Sequence, residues 1–191
     1  MIEIKNLSIS YQEKIVLHHF SAQMKEGSTI AIMGNSGIGK STLLKIIMGI
    51  EKPDEGEILG LSEKRISAVF QEDRLCEELS AVKNVMLVLE GQKKRELAMM
   101  HLLELMNKED LTKKVLKLSG GMKRRVSVAR AFAYPSDLII LDEPLTGLDS
   151  TNKKRTIDYM LKYKNHRTMI VVTHDINEVE ALQASQVIQL V

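Results

Sequence analysis

A glycine-rich loop between an apolar stretch and an amphipathic stretch constrains the fold of this chain more than any other feature. Residues 28–33 (STIAIM) are almost continuously apolar, which predicts a short buried strand. The loop of residues 34–42 (GNSGIGKST) follows at once, and residues 41–50 place apolar side chains at helical spacing. The loop glycines let a backbone wrap around phosphate groups with its N–H groups pointing inward. The sequence therefore predicts a strand–loop–helix unit that binds a phosphorylated ligand.

Two side chains at the end of this loop indicate which ligand it holds. Lys40 is expected to hold the β- and γ-phosphates of a nucleoside triphosphate, and the Ser41 hydroxyl is expected to bind Mg²⁺. The dinucleotide-binding pattern does not fit, because Thr42 stands where its third glycine is required. The alternative, a glycine-rich turn that arises by chance, does not explain the flanking strand and helix.

Composition narrows the remaining possibilities. With 191 residues and a hydrophobic fraction of 44%, the chain can bury the core of one domain. Its 27 Lys+Arg nearly balance 25 Asp+Glu, so no nucleic acid partner is expected, and the basic runs at 93–95, 123–125 and 153–155 are interpreted as solvated helix faces. A single cysteine, Cys76, excludes an internal disulfide and a cysteine metal cluster. The first residues do not resemble a signal peptide, and no apolar run approaches the ~20 residues of a membrane helix. We expect a soluble chain whose membrane role, if any, goes through a partner.

Strands and helices alternate along most of the chain. Strands are predicted at 2–10, 28–33, 65–70, 138–141, 168–173 and 186–191, and helices at 41–50, 93–106, 150–163 and 175–183. The strands at 138–141 and 168–173 are apolar throughout, as in a parallel sheet covered on both faces. Residues from about 75 to 117 break the alternation, since residues 93–106 are helical and no strong strand intervenes. The sequence thus predicts a mainly parallel α/β core with a helical insertion.

Polar residues that follow the predicted strands are candidates for catalysis. Asp142 and Glu143 stand at the carboxyl end of a buried strand, where open α/β sheets bind ligands. Asp142 is expected to hold Mg²⁺, and Glu143 to orient or deprotonate the attacking water. His174 follows another strand and is expected to bind the γ-phosphate, while Gln71 can reach Mg²⁺ or that water. The other histidines are interpreted as structural, and three methionines as core residues: His18, His19, His101, His166, Met99, Met100 and Met106.

In their order along the chain, these residues resemble the motif set of the ATP-binding cassette (ABC) ATPase family. Residues 34–42 resemble the Walker A loop, Gln71 the Q-loop glutamine, and residues 118–122 (LSGGM) the family signature. Asp142 and Glu143 resemble the Walker B aspartate and catalytic glutamate, and His174 the switch histidine. By this resemblance the residues that bind ATP are Tyr11 (on adenine), Gly34, Asn35, Ser36, Gly37, Ile38, Gly39, Lys40, Ser41, Thr42, Ser119, Gly120, Gly121 and the D-loop Asp149, and the Mg²⁺ ligands are Ser41, Gln71 and Asp142.

The resemblance also implies an architecture and partners. A single ABC domain over 1–191 would have a P-loop NTPase core (1–71 and 135–191) with an N-terminal antiparallel β part, and a helical signature subdomain at about 72–134. ATP would close a homodimer, or a pair with a paralogous cassette, in which the signature of one chain faces the γ-phosphate held by the other. Hydrolysis would drive separate permease subunits from the cytoplasmic face of the membrane.

Several functions remain open at this point. The segments FQEDRL and SGGMKRRVSVARA look most like importer subunits of the nitrate/sulfonate/taurine group. The alternatives are an exporter ATPase subunit, a soluble ABC ATPase that acts on ribosomes or DNA, and a nucleotide-dependent module without turnover.

Overall fold

The computed structural model describes residues 1–12 and 14–191. Its strands and helices are, in chain order, β1 (Ile2–Tyr11), β2 (Lys14–Met24), β3 (Thr29–Met33), α1 (Lys40–Ile47), β4 (Glu55–Leu59), β5 (Ile66–Val69), α2 (Ala81–Met86), α3 (Lys94–Leu103), α4 (Gly120–Ala133), β6 (Leu138–Asp142), α5 (Ser150–Lys164), β7 (Thr168–Val172), α6 (Ile176–Ala181) and β8 (Gln186–Gln189).

The chain divides into two compact units. The sheet unit comprises Met1–Ile66, Asp137–Asp142 and His166–Val191, and the helical unit comprises Ser67–Ser136 and Glu143–Asn165. The helical unit therefore contains residues 143–165, which the sequence analysis placed in the core. These residues group with it because α5 is bound to α3 and α4, for example through a 2.8 Å hydrogen bond from Arg125 to the Asn152 Oδ1 atom.

A parallel sheet forms the centre of the sheet unit, with β6, β7, β3 and β8 side by side in that order. All residues of β6 and β7 are buried, as their unbroken apolar sequences predicted. The register pairs Val172 with both Ile32 and Asp142, so the carboxyl ends of β3, β6 and β7 lie at one edge. The predicted α/β class with a mainly parallel sheet is confirmed, and the residues that follow these three strands share one edge.

The N-terminal antiparallel sheet has the order β2–β1–β4. Sequence patterning found only β1, whose apolar residues Ile2, Ile4, Leu7 and Ile9 are buried with bulges between them. The segments of β2 and β4 were not predicted as strands. The reason is their exposure: four of the five residues of β4 are exposed, and in β2 exposed residues interrupt the apolar alternation that marks a strand.

The helical unit is centred on an aromatic cluster between α3, α4 and α5. The His101 Nδ1 atom lies 2.7 Å from the Tyr159 hydroxyl, and Phe132 packs edge-on against Tyr159. His101 is 8% exposed, in agreement with its interpretation as a structural residue. Met106 is buried as predicted, but the prediction for Met100 is wrong because α3 directs it outward, leaving it 43% exposed.

None of the helices in the described part of the chain is both long and apolar enough to span a bilayer.

Candidate active site

The loop between β3 and α1 is held by its own lysine. The Lys40 ammonium group donates hydrogen bonds to the carbonyl oxygens of Gly34 at 2.7 Å and Asn35 at 2.8 Å. Lys40 is the first residue of α1, and only 8% of it is exposed. The side chain therefore folds back over the loop and places its positive charge where phosphate oxygens are expected.

The backbone of this loop needs glycine. Gly39 precedes α1 with a φ of 109°, in the left-handed region, and a Cβ there would lie 2.9 Å from the Val16 Cγ1 atom. A side chain at this position would thus push the loop away from β2. With glycine in place, the loop leads directly into the N-terminus of the eight-residue α1, whose free N–H groups and partial positive charge favour a phosphate. The loop and Lys40 fit a nucleoside triphosphate.

A hydroxyl and a carboxylate meet beside the loop. Ser41 Oγ donates a 2.8 Å hydrogen bond to Asp142 Oδ2, although the two residues are 101 positions apart in the chain. Asp142 ends β6 and is 9% exposed. Both groups are hard oxygen donors of the kind that Mg²⁺ prefers, and Mg²⁺ takes its other ligands from water and phosphate. The donor pair therefore fits Mg²⁺ bound together with a nucleotide.

His174 lies beyond β7, on a turn fixed by a buried hydrogen-bond pair. The Thr173 hydroxyl donates to Glu178 Oε2 at 2.6 Å and accepts from the Asp175 N–H at 3.1 Å. Both Thr173 and Glu178 are buried, while His174 is exposed. The sequence analysis missed this pair. The spacing Asp175-x-x-Glu178 indicates only the start of α6, where Asp175 accepts a 2.9 Å hydrogen bond from the Asn177 N–H.

Tyr11 ends β1 next to the glycine-rich loop. Partial burial and then a hydrogen bond to the Glu51 carboxylate raise the pKa of Tyr11, while a hydrogen bond with Thr42, the last residue of the loop, opposes this increase. The tyrosine remains 41% exposed. An aromatic side chain thus lies beside the loop at the surface of the sheet unit.

In the helical unit, the signature forms the start of α4. Ser119 caps the helix, and its Oγ atom accepts a 3.3 Å hydrogen bond from the Met122 N–H. Ser119 and Gly120 are exposed. Gly121 is closely packed, because an added Cβ would lie 3.2 Å from Leu148 Cδ2 and 3.3 Å from the Gly147 carbonyl oxygen. The signature therefore packs against the segment that leads into α5.

That segment also carries Glu143 and Asp149. Glu143 is half-buried with a φ of 48°, a left-handed conformation that costs about 1–3 kcal/mol for a residue other than glycine and occurs often at functional sites. Its Oε2 atom accepts a 3.3 Å hydrogen bond from the Thr146 hydroxyl. Asp149 caps α5 through a 2.9 Å hydrogen bond from the Asn152 N–H, and this backbone hydrogen bond lowers the pKa of Asp149.

The basic run at 123–125 is not a solvated helix face throughout, so the interpretation made from the sequence is wrong at Arg124. Arg124 was interpreted as part of a solvated face, but it is only 7% exposed. Its guanidinium group donates to the carbonyl oxygens of Phe70, at 2.6 Å, and of Gln71. The charge turns inward because these backbone acceptors, together with the Asp73 carboxylate at 3.3 Å, replace water around it. The run at 93–95 is exposed, as predicted.

The predicted site residues are thus distributed over both units. The sheet unit brings Lys40, Ser41 and Asp142 together and holds Tyr11 and His174. The sheet unit also holds the other candidates of the glycine-rich loop, residues 34–39 and Thr42. The helical unit holds Gln71, Ser119, Gly120, Gly121, Glu143 and Asp149.

The sequence of this chain is similar to those of ATP-binding proteins of transport systems. A family model described as "ABC transporter" matches residues 17–146. The bicarbonate transport ATP-binding protein CmpD of Synechococcus elongatus is 35% identical in an alignment of 196 positions that covers 92% of this chain and 70% of CmpD. The aliphatic sulfonates import ATP-binding protein SsuB 1 of Paraburkholderia xenovorans is 36% identical over 187 residues, 95% of this chain and 55% of SsuB 1.

Solved structures of similar proteins have the same fold as this chain. MJ0796, an uncharacterized ABC transporter ATP-binding protein of Methanocaldococcus jannaschii, is 35% identical over 93% of this chain and 88% of its own length. A dimeric structure of MJ0796 superposes with a TM-score of 0.89 at 32% identity, covering 100% of this chain and 94% of that one. A second dimeric structure, of a post-hydrolysis state bound to ADP and Pi, has a TM-score of 0.87.

Proposed function

Since this chain belongs to the ABC transporter family of ATP-binding cassettes, we propose that it hydrolyses ATP as the energy-supplying subunit of a membrane transporter. One observation carries the proposal. The Ser41 hydroxyl meets the Asp142 carboxylate at 2.8 Å, and Ser41 directly follows Lys40, whose ammonium group is held over the glycine-rich loop. The transfer of a phosphoryl group to water requires metal ligands close to a lysine that binds the phosphates.

The glycine-rich loop and the residues around it bind ATP. Lys40 and the backbone N–H groups of residues 34–42 hold the phosphates, and Tyr11 stacks on adenine. Ser41 and Asp142 would hold Mg²⁺, and Gln71 would reach Mg²⁺ or the attacking water. When bound, Mg²⁺ neutralises charge on the β- and γ-phosphates.

Two further side chains act on the reacting atoms. Glu143, which follows Asp142 directly in the chain, accepts a proton from the attacking water. A well-placed base of this kind contributes about 10²–10⁴-fold in rate. His174 donates a hydrogen bond to the γ-phosphate and so orients the phosphoryl group that is transferred to water, with ADP as the leaving group. The left-handed backbone of Glu143 supports this role, since strain of this type concentrates at active sites.

A second copy of the chain completes each site. Ser119, Gly120 and Gly121 present the N-terminus of the 14-residue α4 at the surface, where it can hold the γ-phosphate bound to a partner subunit. Asp149 adjoins this surface through the packing of Gly121 on residues 147 and 148. ATP therefore closes a dimer and hydrolysis opens it. We place this dimer on permease subunits at the cytoplasmic face of the membrane, with solute uptake as the process that it drives.

The dimer mechanism is tested with Glu143→Gln, which keeps the size of the side chain but removes the base. The variant should run as a dimer in MgATP, at twice the 21.5 kDa of the monomer, when measured by size exclusion with light scattering. Adding Lys40→Ala to it is the control, and this double variant should stay monomeric because ATP no longer binds. A Glu143→Gln protein that remains monomeric in saturating MgATP would refute the mechanism.

The transport role is tested by isolating the chain from its native membrane. A permease together with a solute-binding protein supports uptake, whereas a permease alone supports export. Association with ribosomes, or ATPase activity stimulated by RNA or DNA, would refute transport.

A further inference from the structure

Three side chains of α4 hold the backbone of residues 70–74. Arg124 donates to the carbonyl oxygens of Phe70 and Gln71. The Ser127 hydroxyl donates to the Asp73 carbonyl oxygen at 2.7 Å. Arg130 donates to the carbonyl oxygens of Asp73 at 3.3 Å and Arg74 at 3.0 Å. The donors stand three residues apart, on one face of the helix, and we call them the clasp.

Arg124 is the member of the clasp that contacts Gln71. Its planar guanidinium group donates to two successive carbonyl oxygens from two separate nitrogen atoms, whereas lysine has a single nitrogen on a flexible side chain. The Asp73 carboxylate lies 3.3 Å away, and burial raises its pKa while the charge of Arg124 opposes the increase. The Asp73 Oδ1 atom is buried and accepts no hydrogen bond from the part of the chain that the structure describes. Arg124 therefore supplies the positive charge nearest to the Asp73 carboxylate.

Helix α4 also begins at the signature. Ser119 caps it five positions before Arg124, and both lie in the helical unit together with Gln71. An α-helix transmits displacement along its axis, and hydrogen bonds to two consecutive peptide groups leave the backbone at Gln71 little freedom to move separately. The N-terminus of α4 and the backbone of Gln71 consequently form one mechanical body.

We propose that Arg124 is a positioning residue for Gln71, which ties the place of the Gln71 side chain to that of the signature through the clasp. This inference rests on the proposed function, in which Gln71 reaches Mg²⁺ or the attacking water. Engagement of the signature by ATP on a partner subunit then sets the position of Gln71, so that hydrolysis follows dimer formation.

A double-mutant cycle on the ATPase activity of the full chain tests this. Arg124→Ala should lower kcat by about 10²-fold, the usual effect of misplacing a catalytic group by about 1 Å, with KM for ATP unchanged. Combining it with Gln71→Ala should give no greater loss than Gln71→Ala alone, since Arg124 acts through Gln71. Losses that multiply would overturn the proposal. A Gln71→Ala variant with wild-type kcat would instead refute the role of Gln71 in the proposed function.

Hydrogen–deuterium exchange gives a readout that does not depend on turnover. In Arg124→Ala the amides of residues 70–74 should exchange about tenfold faster or more, the factor that corresponds to losing a hydrogen bond to a charged group. Lys123→Ala is the matched control. It removes a positive charge from the same turn, but Lys123 pairs with Glu77 at 3.1 Å and should leave both exchange and kcat unchanged. Unchanged exchange in Arg124→Ala would show that the clasp does not hold this segment.

Arg124→Lys keeps the test decisive if the alanine variant does not fold. It retains the charge beside Asp73 but replaces the rigid planar fork with a single nitrogen on a flexible side chain, which holds the two carbonyl oxygens less firmly. We expect a folded protein with normal KM, faster exchange at residues 70–74, and a kcat between those of the wild type and Gln71→Ala. A kcat equal to that of the wild type despite faster exchange would overturn the proposal.

Discussion

The two signature glycines should differ in their response to the same small substitution. Gly120 and Gly121 are neighbours in the first turn of α4, so a change to alanine gives each the same gain in helix propensity, about 0.5–1 kcal/mol. At Gly120 the new Cβ meets nothing within 4 Å. The Gly120→Ala variant should therefore be more stable than the wild type by about that amount.

At Gly121 the same methyl group meets a packed surface. It would lie 3.2 Å from Leu148 Cδ2 and 3.3 Å from the Gly147 carbonyl oxygen. Leu148 is only 9% exposed and the second contact is main chain, so the segment of residues 147–148 must shift. Overpacking of this kind typically costs about 1–3 kcal/mol. We expect Gly121→Ala to be less stable than Gly120→Ala by about this range.

Urea unfolding of the nucleotide-free protein, followed by circular dichroism, measures the difference. For a chain of this size, 1 kcal/mol corresponds to about 2–4 °C in Tm, so thermal melts provide a second estimate of the same quantity. The m values of the two variants should agree, which would show that only the native state has changed. Equal stabilities, or a more stable Gly121→Ala, would show that residues 147–148 accommodate the added methyl group without cost, and would contradict the prediction.

Two further predictions concern the ends of helices. Asp149→Ala should lower Tm at neutral pH, because α5 loses its cap. Since the pKa of Asp149 is lowered in the folded protein, its contribution is present above the unfolded value of about 3.9. Melts from pH 7 to 3 should therefore converge with the wild type as pH falls through the lowered pKa, whereas a constant difference would contradict the linkage. Asp158→Ala, at an exposed position of the same helix, controls for loss of charge. Glu178→Ala should destabilise the protein by about 1–3 kcal/mol in urea unfolding, because the buried Thr173 hydroxyl loses its 2.6 Å acceptor, and Glu178→Gln should restore most of the loss.

Features that are contiguous in the chain could be predicted from the sequence. The strand, glycine loop and Lys40 of the phosphate site follow one another, so their spacing alone indicates the ligand. The apolar runs of β6 and β7 likewise predicted strands covered on both faces, and the family resemblance is confirmed by the match over residues 17–146. The roles of individual site residues stay predictions, which the experiments above address.

Features that depend on contacts between distant parts of the chain could not be predicted in this way. The strands β2 and β4 expose most of their residues, so they lack the alternation that would identify them. The grouping of α5 with the helical unit depends on contacts such as Arg125–Asn152 and His101–Tyr159, which join distant positions. Hydrophobic periodicity reports which face of an element is buried, but not which other element covers it.

The sequence by itself determined the phosphate loop, the parallel α/β core and the order of the motifs, because each of these is written in local spacing and in runs of apolar residues. Only the tertiary structure decided that the Ser41 hydroxyl meets the Asp142 carboxylate, and that Arg124 turns inward to residues 70–73. The physical reason is that the partners of Arg124 include backbone carbonyl oxygens. Every residue carries this acceptor, so no residue type marks it in the sequence, and a buried arginine of this kind looks the same as a solvated one.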